Sequence, residues 1–234
     1  MAEEFYGVRH SAIFYEIAVD HPDMPGVGHV GGNLDYMLAR VDGNKDLRVH
    51  RIPVAKQPFL LVIEAKRKSA RQVFRSQQLR LSADMPGMIA ERLPPPRRAL
   101  PSLDVRRVRS AATRSDFCAI GSTCFNVPLP WFQEVFQGET VWEEFASWVG
   151  YCEGEPVSTA STVTSNGVVG LYNVATLPGH QRRGYGEVMV RHAVEDACRR
   201  HGISRTVLQS TSQGLALYES LGYRTVTRVA VYSS

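Results

Sequence analysis

Three short strand-like segments follow one another in the pattern of hydrophobic and polar positions in the second half of the chain. They span residues 148–154, 156–164 and 168–177, and short glycine-containing turns separate them. Short segments bounded by turns are typical of hairpin strands, and the turn SNG at 165–167 allows Gly167 to adopt the positive φ that a tight hairpin needs. The pattern predicts an antiparallel meander of three strands.

The third of these strands leads into a segment with helical periodicity. Apolar residues stand at i, i+3, i+4 and i+7, and Gly202 follows as a helix stop; these apolar positions are Val190, Ala193, Val194 and Ala197. A strand at 204–211, a helix at 213–222 and a strand at 223–232 complete the chain. This order predicts an α/β fold in which helices flank a mixed, mostly antiparallel sheet.

The segment upstream of the meander predicts one more strand and two helices. Residues 103–110 alternate like a strand, and residues 113–126 favour a helix capped by Thr113 or Ser115. Aromatic residues recur every three or four positions through 130–148. Such spacing favours a core-facing helix, with a substrate-contacting aromatic wall as the alternative.

The first hundred residues carry weaker signals. Segments 34–41 and 57–65 are strand-like, and 66–80 favours a helix. Four prolines between residues 91 and 104 indicate a semi-rigid linker or a chain crossing. We therefore expect a domain boundary near residue 100, with an N-terminal region at 1–100 and a second domain at 101–234.

Charge is distributed unevenly along the 234 residues. The net charge is +4, and all of the excess lies in the first hundred residues, which hold 15 Lys and Arg against 11 Asp and Glu. The densest basic run, at 66–75, is best interpreted as the solvated face of a helix. A nucleic-acid partner is therefore not predicted.

Hydropathy and cysteine spacing favour a cytoplasmic protein without a metal site. The apolar run at 58–63 is far shorter than the roughly 20 residues of a membrane span, and the first residues lack a secretory signal pattern. The four cysteines lack CxxC or zinc-ligand spacing, which predicts reduced thiols. His21, His29 and His50 have no companions at ligand spacing.

The loop QRRGYG, at 181–186, has the composition of an anion-binding loop. It precedes a predicted helix, whose N-terminus presents unpaired N–H groups and a partial positive charge. Gly184 and Gly186 permit close backbone approach, while Arg182 and Arg183 offer charge-assisted hydrogen bonds to phosphate. The loop predicts a diphosphate ligand, although it matches neither the Rossmann nor the Walker pattern.

This order of elements resembles the GNAT superfamily of acyl-CoA N-acyltransferases. The similarity covers about residues 103–234 and rests on NVATLPGHQRRGYGEVMV at 173–190 and ALYESLGY at 216–223. Residues 79–96 look like the connector of two-part GNAT proteins whose first half is a degenerate acyltransferase fold. The resemblance implies a GNAT-like fold and acetyl-CoA, or another acyl-CoA, as cosubstrate.

The resemblance also implies roles for individual residues. Tyr218 would be the catalytic acid that protonates the departing thiolate, and the strand before the loop would present main-chain groups to the pantetheine arm and the thioester carbonyl. Thr211 stands where many relatives have a cofactor-contacting asparagine. The implied cofactor-binding residues are Val174, Ala175, Thr176, Gln181, Arg182, Arg183, Gly184, Tyr185, Gly186, Glu187 and Thr211.

The general base and the acceptor stay open. Neither strand 168–177 nor strand 204–211 contains an acidic residue. The alternatives are a water chain relayed by Tyr172, Asn173, Glu153 or Glu155, an acceptor amine of low pKa, or no catalysis.

We expect an enzyme that acetylates a primary amine of a small molecule or a peptide, with a non-catalytic acyl-CoA-binding module as the alternative. Acidic residues in 113–155 could suit a cationic amine, with solvated helix faces as the alternative; they are Glu134, Glu139, Glu143 and Glu144. A homodimer paired through the last strand is a further expectation.

Overall fold

A computed structural model describes the backbone of most of the chain. It covers residues 37–40, 48–54, 57–60, 63–64, 80–165 and 167–233. The helix predicted at 66–80 lies outside the described residues except for Arg80, which begins a strand.

Eleven strands lie within the described residues and form two sheets. A small antiparallel sheet contains β1 (Met37–Arg40), β2 (Arg48–Val54) and β3 (Gln57–Leu60). The larger sheet contains β4 (Ile63–Glu64), β5 (Arg80–Ala90), β6 (Asp104–Arg107), β7 (Ala146–Cys152), β8 (Glu155–Ser165), β9 (Val168–Thr176), β10 (Thr206–Gln209) and β11 (Arg224–Ser233). Its order is β4-β11-β5-β10-β9-β8-β7-β6. Every neighbouring pair is antiparallel except β9 and β10.

The meander predicted from the three segments and their turns is confirmed as β7, β8 and β9. The turn between β8 and β9 places Gly167 at φ +78°, as the hairpin requires. A left-handed pair, Glu153 at φ +53° and Gly154 at φ +86°, joins β7 to β8.

Strand β5 corrects the interpretation of residues 79–96 as a connector. Residues 80–90 pair with β10 on one side and with β11 on the other, so this segment is an inner strand of the large sheet. A domain boundary near residue 100 would separate β5 from the rest of its sheet, and this boundary stays a prediction.

Five α-helices lie within the described residues. They are α1 (Ala111–Phe125), α2 (Leu129–Val135), α3 (Glu139–Glu144), α4 (Tyr185–His201) and α5 (Leu215–Ser220). The prediction of one helix over 130–148 is wrong, because Gly138 adopts an extended conformation and separates α2 from α3.

The helix cap predicted at Thr113 or Ser115 is also wrong. Ser110 caps α1, and its hydroxyl accepts a hydrogen bond from the Thr113 backbone N–H. The Thr113 hydroxyl oxygen in turn accepts a bond from the Ser110 N–H at 3.1 Å, which completes a capping box. Both candidate residue types cap helices well, so the sequence alone misplaced the start by about one turn.

Two large hydrophobic clusters cover the two faces of the large sheet. The aromatic cluster lies under α1, α2 and α3, and it confirms the prediction of core-facing aromatics; its buried aromatic members include Phe117, Phe132, Phe136, Trp142 and Phe145. The second cluster lies under α4 and includes its predicted apolar face of Val190, Ala193 and Val194. Burial of a valine or phenylalanine side chain contributes about 1.5–3 kcal/mol to the free energy of unfolding.

Helix α4 ends as predicted, with Gly202 at φ +67°. No described helix combines the length and the apolar character that crossing a membrane requires.

Candidate functional site

Strands β9 and β10 separate after a short parallel contact. They pair only at Val169 with Thr206 and at Gly170 with Val207, although β9 continues to Thr176. Parallel strands that diverge leave main-chain N–H and C=O groups without a strand partner along the opening. The separation therefore forms a cleft lined on one side by the second half of β9.

A bulge sets the direction of the main chain at the end of β9. The register with β8 shifts between Tyr172 and Ala175, and Asn173 adopts φ +48°. The Thr159 hydroxyl donates to the Asn173 carbonyl at 2.8 Å, and the Leu177 N–H donates to Val157 on β8 at 2.9 Å.

The remaining contacts show which main-chain groups face the cleft. The Ser158 hydroxyl donates to the Ala175 carbonyl at 2.6 Å, so Ala175 also points its main chain toward β8. Because main-chain groups alternate sides along a strand, those of Val174 and Thr176 point toward the cleft. The Thr176 N–H interacts with the Cys124 thiol there; burial nevertheless raises the pKa of this thiol to about 11.

The loop after β9 turns sharply into α4. A single 3₁₀ turn, Pro178–His180, is followed by Arg182 at φ +61° and by Gly184 at φ +90°. Gly184 is the N-cap of α4, and no side chain caps the helix. The first N–H groups of a 17-residue helix therefore lie beside the exposed side chains of Arg182 and Arg183.

Gly186 is the point where three predicted elements meet. A Cβ at this position would lie 3.4 Å from Leu217 Cδ2 on α5 and 3.6 Å from Thr176 Oγ1 on β9. The Thr176 hydroxyl forms a 2.8 Å hydrogen bond with the Ser158 hydroxyl, and Gln181 Nε2 donates to the Thr176 carbonyl at 3.0 Å. The structure thus brings together the end of β9, the loop and α5.

Two of the predicted cofactor-binding side chains contact other parts of the protein. The Tyr185 hydroxyl lies 3.1 Å from Cys152 Sγ, which fixes the first turn of α4 to the end of β7. Glu187 pairs with Arg191, one turn further along α4, at 2.9 Å. This pairing neutralises a carboxylate that would otherwise repel an anion at the helix N-terminus.

Tyr218 lies on α5 next to the loop. Its side chain is 8% exposed, and burial raises the pKa of its phenol above the ordinary value. Its ring meets the Tyr223 ring edge to face at 5.8 Å. A buried phenol of raised pKa stays protonated near neutral pH, so its O–H is available to donate a hydrogen bond to a group that develops negative charge.

Thr211 lies before α5 and takes part in its local structure. The Thr211 hydroxyl accepts a bond from the Gly214 N–H at 3.2 Å, and its carbonyl accepts one from the Ser210 hydroxyl at 2.7 Å. A Cβ on Gly214 would lie 2.9 Å from Tyr218 Cε2, so this turn packs directly against the Tyr218 ring.

The candidates for a proton relay lie in two places. Tyr172 and Asn173 lie on β9 at the cleft, where the Tyr172 ring meets Phe145 edge to face at 5.6 Å. Glu153 lies in the turn between β7 and β8, and Glu155 is the first residue of β8, which β9 separates from β10.

The acidic residues expected to suit a cationic acceptor are only partly described. Glu139 forms a two-pronged ion pair with Arg114 on α1, which reduces its availability to a ligand, and Glu143 is exposed on α3. The side chains of Glu134 and Glu144 lie outside the description.

The comparisons with known proteins agree with this geometry. Residues 143–225 match the sequence model of the acetyltransferase (GNAT) domain. This range contains the cleft, the loop, α4 and Tyr218, so the part of the chain that carries the candidate site is similar to a GNAT domain. No curated protein matches the chain.

Solved structures share the fold. A GCN5-related N-acetyltransferase from Kribbella flavida is 22% identical with a TM-score of 0.55, covering 70% of this chain and 63% of that chain. One from Sphaerobacter thermophilus is 18% identical with a TM-score of 0.55, covering 73% and 57%. The chain thus spans less than two thirds of the length of these two proteins. The protein therefore has the fold of the GNAT superfamily.

Sequence reasoning missed several residues that build the site. Ser158 ties β8 to the end of β9, and Arg191 holds Glu187. Neither belongs to the loop motif, and only the fold brings them to it. The sequence signal available for Arg191 was its spacing of four residues from Glu187 on a predicted helix.

Proposed function

We propose that the protein is an N-acyltransferase that transfers the acetyl group of acetyl-CoA to a primary amine by direct attack. The observation that carries the proposal is the cleft between β9 and β10, which leads from the main chain of Val174 to the N-terminus of α4. The GNAT domain match over 143–225 supports the same assignment.

The residues present fit acetyl-CoA at three points. The Gly184–Gly186 loop and the free N–H groups of α4 suit a diphosphate, since these groups offer hydrogen bonds and partial positive charge without side chains in the way. Val174 offers a main-chain N–H and C=O toward the cleft, as an extended pantetheine arm needs. The hydrogen bond from Gln181 to the Thr176 carbonyl joins the loop at 181–186 to the end of β9.

Two groups of the protein would take part in the acyl transfer, one as a hydrogen-bond donor and one as an acid. The Val174 N–H would donate to the thioester carbonyl and stabilise negative charge on its oxygen during attack. The Val174 N–H is preferred to the Ala175 N–H for this role, because the main chain of Ala175 points toward β8. Tyr218 would then give its proton to the sulfur as the thiolate departs.

The acceptor is proposed to be a small-molecule or peptide amine, and the protein is proposed to be cytoplasmic. No acidic side chain on β9 or β10 can take the ammonium proton directly. We propose that water beside Tyr172 and Asn173 carries this proton, because both residues lie on β9 at the cleft. A non-catalytic acyl-CoA-binding module remains the second candidate, because it needs no base.

The test combines ligand binding with turnover. Acetyl-CoA at saturating concentration should raise the melting temperature, because a ligand of the native state alone stabilises it. Release of free thiol is then followed with a panel of amines. Absence of any melting shift would refute both candidates, whereas a shift without thiol release on any amine would favour the binding module.

Tyr218→Phe tests the proposed acid, and Tyr223→Phe is its matched control. Both residues are buried tyrosines whose rings touch, and the Tyr223 hydroxyl accepts a 2.9 Å bond from Thr206 instead of facing the reaction. Tyr218→Phe should lower kcat by about 10²–10⁴-fold, the usual range for general acid catalysis. Tyr223→Phe should lower stability by about 1 kcal/mol and leave kcat within a few fold. Equal kcat values in the two variants would contradict the role of Tyr218.

A further inference from the structure

The proline-containing segment at 91–103 packs along α4 and is not an unattached linker. At its start, Glu91 pairs with Arg205 at 2.9 Å. The Pro94 carbonyl accepts a 2.6 Å hydrogen bond from Arg191, a residue of α4 that is 7% exposed. At its end, Leu103 packs against Met189 and Gly150 under the same helix.

This path carries the segment to the N-terminus of α4. A Cβ on Gly184 would lie 3.0 Å from Pro101 Cδ and 3.9 Å from Arg98 Nη2. The Arg98 guanidinium therefore lies within a few ångströms of the glycine that opens the helix. Pro94, Pro95, Pro96 and Pro101 restrict φ along the segment, so its position costs less conformational entropy than that of an ordinary loop.

The surroundings of Arg98 leave its guanidinium available to an anion. Arg98 is exposed, and it makes no hydrogen bond or ion pair with another residue in the described part of the chain. Glu187, the acidic residue in the first turn of α4, is already paired with Arg191. The same Arg191 side chain holds both the Glu187 carboxylate and the Pro94 carbonyl.

We propose that Arg98 is a ligand of the diphosphate of coenzyme A, supplied by a segment outside the GNAT domain match at 143–225. This inference rests on the proposed function, because it assumes that the loop takes that diphosphate. A guanidinium matches two phosphate oxygens with parallel N–H groups, and the N–H groups of α4 would hold the other side of the same anion. Arg191 is a positioning residue in this arrangement, since it anchors the segment that carries Arg98.

The test measures binding of acetyl-CoA to the full chain by titration calorimetry. Arg98→Ala should raise Kd about tenfold or more, the expected loss of a charge-assisted hydrogen bond. Arg97→Ala is the matched control, because it removes the same charge one residue away and should change Kd less than threefold. Arg98→Lys keeps the charge but loses the two-pronged geometry, and it should fall between the two.

Three outcomes separate the possibilities. Equal Kd values for Arg98→Ala and Arg97→Ala, in variants that melt like the wild type, would overturn the role of Arg98 and leave the proposed function standing. 3′-Dephospho-acetyl-CoA keeps the diphosphate but lacks the 3′-phosphate. If Arg98→Ala no longer raises the Kd of this ligand, Arg98 contacts the 3′-phosphate and the assignment to the diphosphate is overturned. Failure of the wild type to bind acetyl-CoA would overturn the proposed function itself and this inference with it.

Discussion

Replacement of Gly184 by alanine tests the structure of the loop at the helix entrance. Gly184 adopts φ +90°, and the added Cβ would lie 3.0 Å from Pro101 Cδ. The substitution therefore combines a disfavoured backbone conformation with a steric conflict. Two other glycines separate these effects, because Gly202 has φ +67° with open space around its Cβ position, and Gly179 has open space and no positive φ.

The magnitudes follow from these two contributions. A left-handed conformation costs a non-glycine residue about 1–2 kcal/mol. Displacement of a packed ring by a methyl group adds about 1–2 kcal/mol, toward the lower end of overpacking effects. We expect Gly184→Ala to lower the free energy of unfolding by about 2–4 kcal/mol, Gly202→Ala by about 1–2 kcal/mol, and Gly179→Ala by less than about 0.5 kcal/mol.

Urea unfolding of the three variants checks this order. A two-state domain of this size changes its melting temperature by about 2–4 °C for each kcal/mol, so calorimetry should show the same order. Gly184→Ala should also weaken acetyl-CoA binding, because it displaces Pro101 and, with it, Arg98. If Gly184→Ala unfolds at the same urea concentration as Gly179→Ala, the described loop conformation is incorrect.

Two further predictions concern the core. Gly121→Ala should destabilise the protein by about 1–3 kcal/mol, because its Cβ would overlap the Phe132 ring where α1 meets α2. Gly138→Ala is the control and should be nearly neutral, because its Cβ meets open space. Comparable urea midpoints for these two variants would refute the described packing of α1 on α2. Stability should also fall at alkaline pH, because burial raises the pKa of Cys118 to about 12 and that of Cys124 to about 11. Each thiol has a higher pKa in the native state than the unfolded value of 9.0, so protonation of the thiol favours the native state. This contribution to the free energy of unfolding is fully present below pH 9 and is lost as the pH rises toward 11 or 12. A urea midpoint at pH 10.5 that equals or exceeds the midpoint at pH 8 would contradict it.

Local patterns predicted the elements whose signals lie within the element itself. Helix α4 follows from its side-chain periodicity and from Gly202, which ends the helix. The β7–β8–β9 meander follows from strand-like segments separated by turns, one of which contains Gly167. Strand β5 was missed because Pro86 and Gly87 are typical of a turn. In the sheet Gly87 is the last residue to pair with β10, and the Pro86 carbonyl accepts a 2.9 Å hydrogen bond from the Ser210 N–H just past β10. Pro86 also pairs with Arg228 on β11.

The candidate site likewise contains some residues that local sequence motifs predict and others that only the fold brings together. The glycine loop and Tyr218 were predictable because their motifs are contiguous in sequence, and the GNAT domain match covers both. The direction of the Val174 main chain depends on a bulge at Asn173, which no periodicity indicates. The approach of Arg98 to Gly184 joins residues more than eighty positions apart, and only the packing of the proline segment on α4 produces it.

Amide chemical shifts during a titration with acetyl-CoA test the central claim most directly. The backbone N–H signals of Val174, Gly184 and Gly186 should move together and saturate at one Kd, while that of Gly138, between α2 and α3, should stay in place. Shifts confined to residues away from the β9–β10 cleft, with these three signals unchanged, would contradict the assignment of the loop and the cleft to coenzyme A.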